Sequence, residues 1–148
     1  MNRDRALLFL ANGCGSGLIH PAPGTWGSLA ALLIGFIWSF FGGIPLWFII
    51  VAMIAGVYIC EVGEKQMGKH DPSEIVFDEW IGMWITMWNI PTVLFPVAFI
   101  LFRFFDISKI GPIGKIQDLP GGLGVMADDV LAGIVGRIII GLGMVLFF

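Results

Sequence analysis

Residues 80–102 read "WIGMWITMWNIPTVLFPVAFILF" and carry no charged side chain. A run of this length suits one bilayer-crossing helix, which needs roughly 20 apolar residues. It also suits a tight hairpin broken at "NIPT" (89–92). Asn89 and Pro91 are helix-stopping residues placed together. Counting in their polar ends, the arms 73–89 and 92–109 each reach roughly 17 residues, or about 25 Å. Charge decides between the two. A single crossing would set Arg103, Lys109 and Lys115 opposite Arg3, Arg5, Lys65 and Lys69, whereas a hairpin puts all of them on one side. Excess Lys and Arg marks the cytoplasmic side. The hairpin is therefore predicted, with its charged ends in the cytoplasm.

The flanking sequence extends this pattern. Residues 29–60 carry no charge but are interrupted by "GGIP" (42–45), which predicts helices over about 26–41 and 45–68. "ADDVLAGIVGRIIIGLGMVLFF" (127–148) reads as the last helix. The lone Arg137 within it either snorkels or lines a polar interior. Apolar residues make up 57% of the chain and charged ones 13%, against roughly 25% charged in soluble domains. Six Trp and thirteen Phe fit interfacial belts and lipid-facing surfaces. The expected fold class is all-α: one domain over 1–148, an integral membrane helical bundle of about five membrane helices. Its amino terminus would lie inside and its carboxyl end outside. "GSGLIHPAPGTWGS" (15–28) and "SKIGPIGKIQDLPGGLGVM" (108–126) would be Gly/Pro-rich cytoplasmic loops. The start, "MNRDRALLFLANGC", mimics a lipoprotein leader, but its apolar core is short; it reads as a helix on the membrane surface. Cys14 and Cys60 read as free thiols. A net charge of −3 leaves no basic patch for nucleic acid.

Apart from Asp4, every acidic residue lies between Glu61 and Asp129. Asp78-Glu79, Asp106 and Asp128-Asp129 fall on three predicted helices, each about one turn from the loop side. Buried carboxylates near a membrane face are costly unless paired, protonated or bound to a cation. Gly82 and Ala132 lie four residues after an acid on the same helical face, where small side chains let helices approach. Carboxylates with few imidazoles form a hard-oxygen site suited to Mg²⁺ or Mn²⁺. Lys65, Lys69, Arg103 and Lys109 lie nearby in the sequence, which suggests a phosphate ligand. His70 and His20 are candidate acid–base groups, each set against a plain loop hydrogen bond. "GEKQMGKH" (63–70) is not a nucleotide P-loop, because His70 stands where a hydroxyl residue would hold Mg²⁺.

"GSGLIHPAPGTWGS", "GKHDPSEIVFDEWIGMW", "FRFFDISKIGPI" and "PGGLGVMADDVLAG" occur in the order and spacing of bacterial phosphatidylglycerophosphatase A, and the chain resembles that family from about Asn12 to Gly136. The resemblance implies a Mg²⁺-dependent enzyme that removes the terminal phosphate of phosphatidylglycerophosphate to leave phosphatidylglycerol, at the cytoplasmic face of the bacterial inner membrane. By position it carries over the acids Asp71, Asp78, Glu79, Asp106, Asp128 and Asp129, with Arg103 and Lys109 on the phosphate side. Ile110 departs from the family's usual proline.

On this reading Asp78, Glu79, Asp128 and Asp129 hold Mg²⁺, and Asp71 joins them by resemblance. Asp106 completes the metal shell or serves as base, and Lys65 or His70 protonates the leaving alkoxide. The first loop would cover the site, offering the amides of Gly15, Ser16 and Gly17 and the hydroxyls of Ser16, Thr25 and Ser28 to phosphate. The alternative is a small cation-binding membrane transporter or channel, which requires acids deep within the helices. A lipid phosphotransferase is disfavoured, since the D-G-x2-A-R signature of CDP-alcohol transferases is absent.

Overall fold

A computed structural model describes residues 2–147; Phe148, the last residue of the predicted final helix, lies outside it. The described residues are helical, with no strand among them. The helices are α1 (Arg3–Ala11), α2 (Pro23–Ser39), α3 (Leu46–Met67), α4 (Phe77–Met87), α5 (Phe95–Ser108), α6 (Pro112–Ile116) and α7 (Gly122–Phe147). Two of them, α3 and α7, are long and apolar enough to cross a membrane.

The short helix α4 is the centre of the molecule. It packs against α2, α3, α5 and α7, and nine of its residues, Phe77, Asp78, Trp80, Ile81, Gly82, Met83, Trp84, Thr86 and Met87, are buried. Around it, α2, α3, α5 and α7 turn large apolar side chains outward, among them Phe36, Trp47, Ile100 and Leu142. The α4–α7 contact is backbone against backbone. A Cβ at Gly82 would lie 2.6 Å from the Asp129 carbonyl, and one at Gly133 would collide with the Gly82 carbonyl. Small residues at a crossing allow this approach, and it places the first turn of α4 beside Asp128 and Asp129.

Buried polar groups tie the crossing together. Thr86 Oγ1 donates within reach of two carbonyls, Gly82 O at 2.9 Å and Gly133 O at 3.3 Å. Thr86→Val is expected to lower stability by about 1 kcal/mol, read as a downward shift of the unfolding midpoint in detergent. Trp84 Nε1 donates to Ala31 O at 3.0 Å and fastens α2. Arg137 Nε donates to Trp88 O at 2.7 Å, and its guanidinium lies 5.9 Å from the centre of the Trp88 ring. The lone basic residue of α7 therefore faces inward and caps the end of α4.

Several predicted boundaries move. The hairpin turn falls at Trp88–Leu94, where Asn89 takes a positive φ of 53°. Its arms, however, are 11 and 14 residues long rather than roughly 17. The first arm loses residues 73–76 to a loop whose Val76 N–H donates to Ala11 O at 2.9 Å. The second loses Thr92–Leu94 to a 3₁₀ turn after Pro91. The predicted loop 15–28 ends at Ala22, because Pro23 opens α2 and its missing N–H costs a helix nothing at that position. The first helix is docked on α3: Arg3 Nη2 donates to Tyr58 OH at 3.1 Å and Gln66 Nε2 to Asp4 O at 2.7 Å.

Candidate functional site

Four helices and the loop between α3 and α4 line a cleft of about 300 Å³. Gly24 comes from the start of α2, Asp78 and Glu79 from the first turn of α4, and Asp128 and Asp129 from the early turns of α7. Arg103 and Asp106 lie near the end of α5. Lys109 follows as that helix's C-cap, and its left-handed backbone, φ 47° and ψ 44°, ends the helix there. Asp71 and Ser73 enter from the loop between α3 and α4.

Glu79, Asp106 and Asp129 each offer one carboxylate oxygen, and these atoms lie within 4.8 Å of one another. Asp106 and Asp129 are buried, and the Glu79 side chain is 13% exposed. Among the described residues, Asp78 Oδ1, Glu79 Oε2 and Asp129 Oδ1 are buried without a hydrogen-bond partner. Buried anionic oxygens left unpaired are strongly unfavourable. An oxygen-binding divalent cation resolves that cost, and an all-carboxylate donor set is what such a cation takes.

Two cations border the acids. Arg103 Nη1 makes an ion pair with Asp106 Oδ2 and lies 3.4 Å from Glu79 Oε1. Lys109 Nζ pairs with Asp128 Oδ2 and lies 3.9 Å from Asp106 Oδ1. Burial works against the Lys109 charge, but the bond to Asp128 and the fields of Asp128, Asp129 and Asp106 outweigh it, holding its pKa above the usual lysine value. Asp128 is thus doubly engaged, since its Oδ1 also accepts the Asp129 N–H at 3.0 Å.

The remaining predicted residues lie away from this centre. Lys65 is 73% exposed and bound to Glu61 at 2.6 Å, outside the cleft wall. His70 directs Nδ1 to Glu64 at 2.8 Å. The amides expected to face phosphate have partners within their own loop: Gly15 N–H donates to Asn12 Oδ1 at 3.1 Å, Ser16 N–H to Gly13 O at 3.1 Å and Gly17 N–H to Asn12 O at 2.9 Å. Ser16 Oγ donates to Gly13 O and Ser28 Oγ to Gly24 O, each at 2.8 Å. Thr25 is helical and is not part of the cleft wall.

Gly24, in the first turn of α2, is the residue of the predicted loop that reaches the cleft. A Cβ there would meet Glu79 Oε1 and come within 3.1 Å of Arg103 Nη2. The glycine after Pro23 in "PAPGT" was the visible signal for this close approach. A larger cavity of about 620 Å³ lies at the other end of α4, beside Trp84, Trp88 and Asn89, and its wall has no ionisable side chain. The ionisable side chains line the smaller, acidic cleft.

An all-helical chain with clustered carboxylates at one end and two fixed cations beside them has a candidate metal site bordered by anion-binding groups. Comparison with known proteins is more specific. The family model described as Phosphatidylglycerophosphatase A matches residues 9–144, and the chain belongs to that family. The Phosphatidylglycerophosphatase A of Haemophilus influenzae is 45% identical over 137 residues, covering 88% of this chain and 84% of that protein. The Escherichia coli protein of the same name is 41% identical over 132 residues, covering 85% and 76%. A Bacteroides thetaiotaomicron protein named "Putative phosphatidylinositol-3-phosphatase" is 36% identical over 148 residues, covering 90% of each chain. No solved structure matches the chain.

Proposed function

We propose that this protein is a Mg²⁺-dependent membrane phosphatase that hydrolyses phosphatidylglycerophosphate to phosphatidylglycerol and phosphate. The observation that carries the reading is the carboxylate cluster of Glu79, Asp106 and Asp129, with unpaired buried oxygens on Glu79 and Asp129, beside Arg103 and Lys109, in a chain whose relatives bear that name.

Glu79, Asp106 and Asp129 would hold the metal, with Asp78 Oδ1 beside them. A bound Mg²⁺ supplies neutralisation of phosphoryl charge. Lys109 and Arg103 bind phosphate oxygens and orient the phosphorus for in-line attack by water. Asp128 keeps Lys109 charged and in place, which is a support role rather than metal ligation. The water oxygen bonds to phosphorus as the bond to the glycerol oxygen breaks; one of the water's protons stays on the released phosphate, and the other is balanced by the proton the glycerol oxygen takes up. Lys65 and His70, the groups expected to supply this proton, both lie outside the cleft wall, so solvent supplies it.

The outward apolar surfaces of α2, α3, α5 and α7 support placement in a bilayer. We read α2, α3 and α7 as crossing, α4 as sheltered among them and α5 as turning its outer face to lipid, a modification of the expected five-span bundle. All site residues then lie on the side of the basic residues, the cytoplasmic face by the positive-inside rule.

Phosphate release from phosphatidylglycerophosphate by purified protein in detergent tests the reading. Release is expected with Mg²⁺ and is expected to fall to background with EDTA. The Bacteroides relative's name favours one second reading, an inositol lipid phosphate. Turnover of phosphatidylinositol 3-phosphate in preference to phosphatidylglycerophosphate would select it. No release from either lipid by folded protein would refute the phosphatase reading.

A further inference from the structure

We infer that Glu64 is a positioning residue that holds Asp71 at the mouth of the cleft, an inference that rests on the phosphatase reading above. Glu64 sits in the last turn of α3 and is 8% exposed. Few buried carboxylates in this chain lie outside the acid cluster, and this one has a different set of partners. Its Oε1 accepts the Asp71 backbone N–H at 2.7 Å and faces His70 Nδ1 at 2.8 Å. Its backbone carbonyl accepts the Gly68 N–H at 2.8 Å. One residue therefore gathers the whole turn from Gly68 to Asp71.

The turn needs such a clasp. Asp71 has a φ of 47°, a left-handed conformation that is unfavourable for a residue with a Cβ. Pro72 follows, has no N–H to donate and restricts the backbone before it. The hydrogen bond from the Asp71 amide to a buried, charged acceptor stabilises this conformation. It places Asp71 in the cleft wall with Asp78, Asp106 and Lys109. Glu64 is itself absent from that wall, so it touches neither substrate nor metal and acts through Asp71.

The test is a double-mutant cycle on the full chain, reading kcat and KM for phosphatidylglycerophosphate, the Mg²⁺ concentration for half-maximal rate, and the melting temperature. Glu64→Ala is expected to lower kcat/KM about tenfold, the scale of lost outer-shell support. Glu64→Gln keeps the acceptor oxygen and is expected to stay within about threefold of wild type. In an Asp71→Ala background, Glu64→Ala is expected to add no further loss. Should Glu64→Ala not fold, Glu64→Asp decides: it keeps the charge but draws the carboxylate back from the Asp71 amide, and a comparable loss is expected. Additive losses, an unaffected Glu64→Ala, or a loss tracking melting temperature alone would overturn the inference. A wild type that releases no phosphate from this lipid would instead refute the phosphatase reading.

Discussion

Asp129→Asn is expected to lower metal-dependent phosphate release by about 10²–10³-fold, the largest loss for any single polar substitution here. Asp129 is 2% exposed, and its Oδ1 has no partner within the protein. The amide has nearly the same shape, so packing against α4 is retained. It lacks the negative charge, and half of its possible orientations present an NH₂ that cannot bind a cation. The melting temperature separates this from a folding defect. Without metal, removing an unpaired buried anion should leave the variant at least as stable as wild type. With Mg²⁺, wild type should melt higher because the ligand binds only the folded state, and the variant should show little of that increase. Full activity in Asp129→Asn, with an unchanged Mg²⁺ requirement, would remove Asp129 from the metal set.

Gly133→Val is expected to unfold the protein or cost upwards of about 3 kcal/mol, and to abolish activity with it. Its Cβ would collide with the carbonyl of Gly82, on the helix that packs most extensively against α7. Backbone cannot yield as a flexible side-chain tip can. Separating the two helices would also withdraw Asp129 from Glu79, so a folded remnant should have weakened Mg²⁺ dependence. Gly143→Val is the control on the same helix. A Cβ there meets nothing within 4 Å, and its effect should stay within about 0.5 kcal/mol. Equal loss in both variants, followed by denaturation in detergent, would place the damage in helix propensity rather than in the crossing.

Much of this was legible along the chain. The break at Asn89 and Pro91, the uncharged runs and the one-sided distribution of cations all report local preferences, because turn residues and hydrophobic runs act on their own neighbourhood. The acids Asp78, Glu79, Asp106 and Asp129 could be picked out because ionised groups in so apolar a chain require partners. Helix lengths were overestimated where tertiary bonds drew backbone out of the helix, as Ala11 does with Val76.

The first loop shows the limit from the other side. Its glycines suggested free amides, yet Asn12 and Gly13 accept those N–H groups within the loop. Spacing alone predicts which face of a helix an acid lies on, and so identifies the candidate carboxylates. It says nothing of the distance between helices. Only the packing of α5 against α4 and α7, which are themselves closed at Gly82 and Gly133, brings Glu79, Asp106 and Asp129 close together while tying Asp128 to Lys109. The residue types were determined by sequence, and the division of labour among them by how closely two backbones pack.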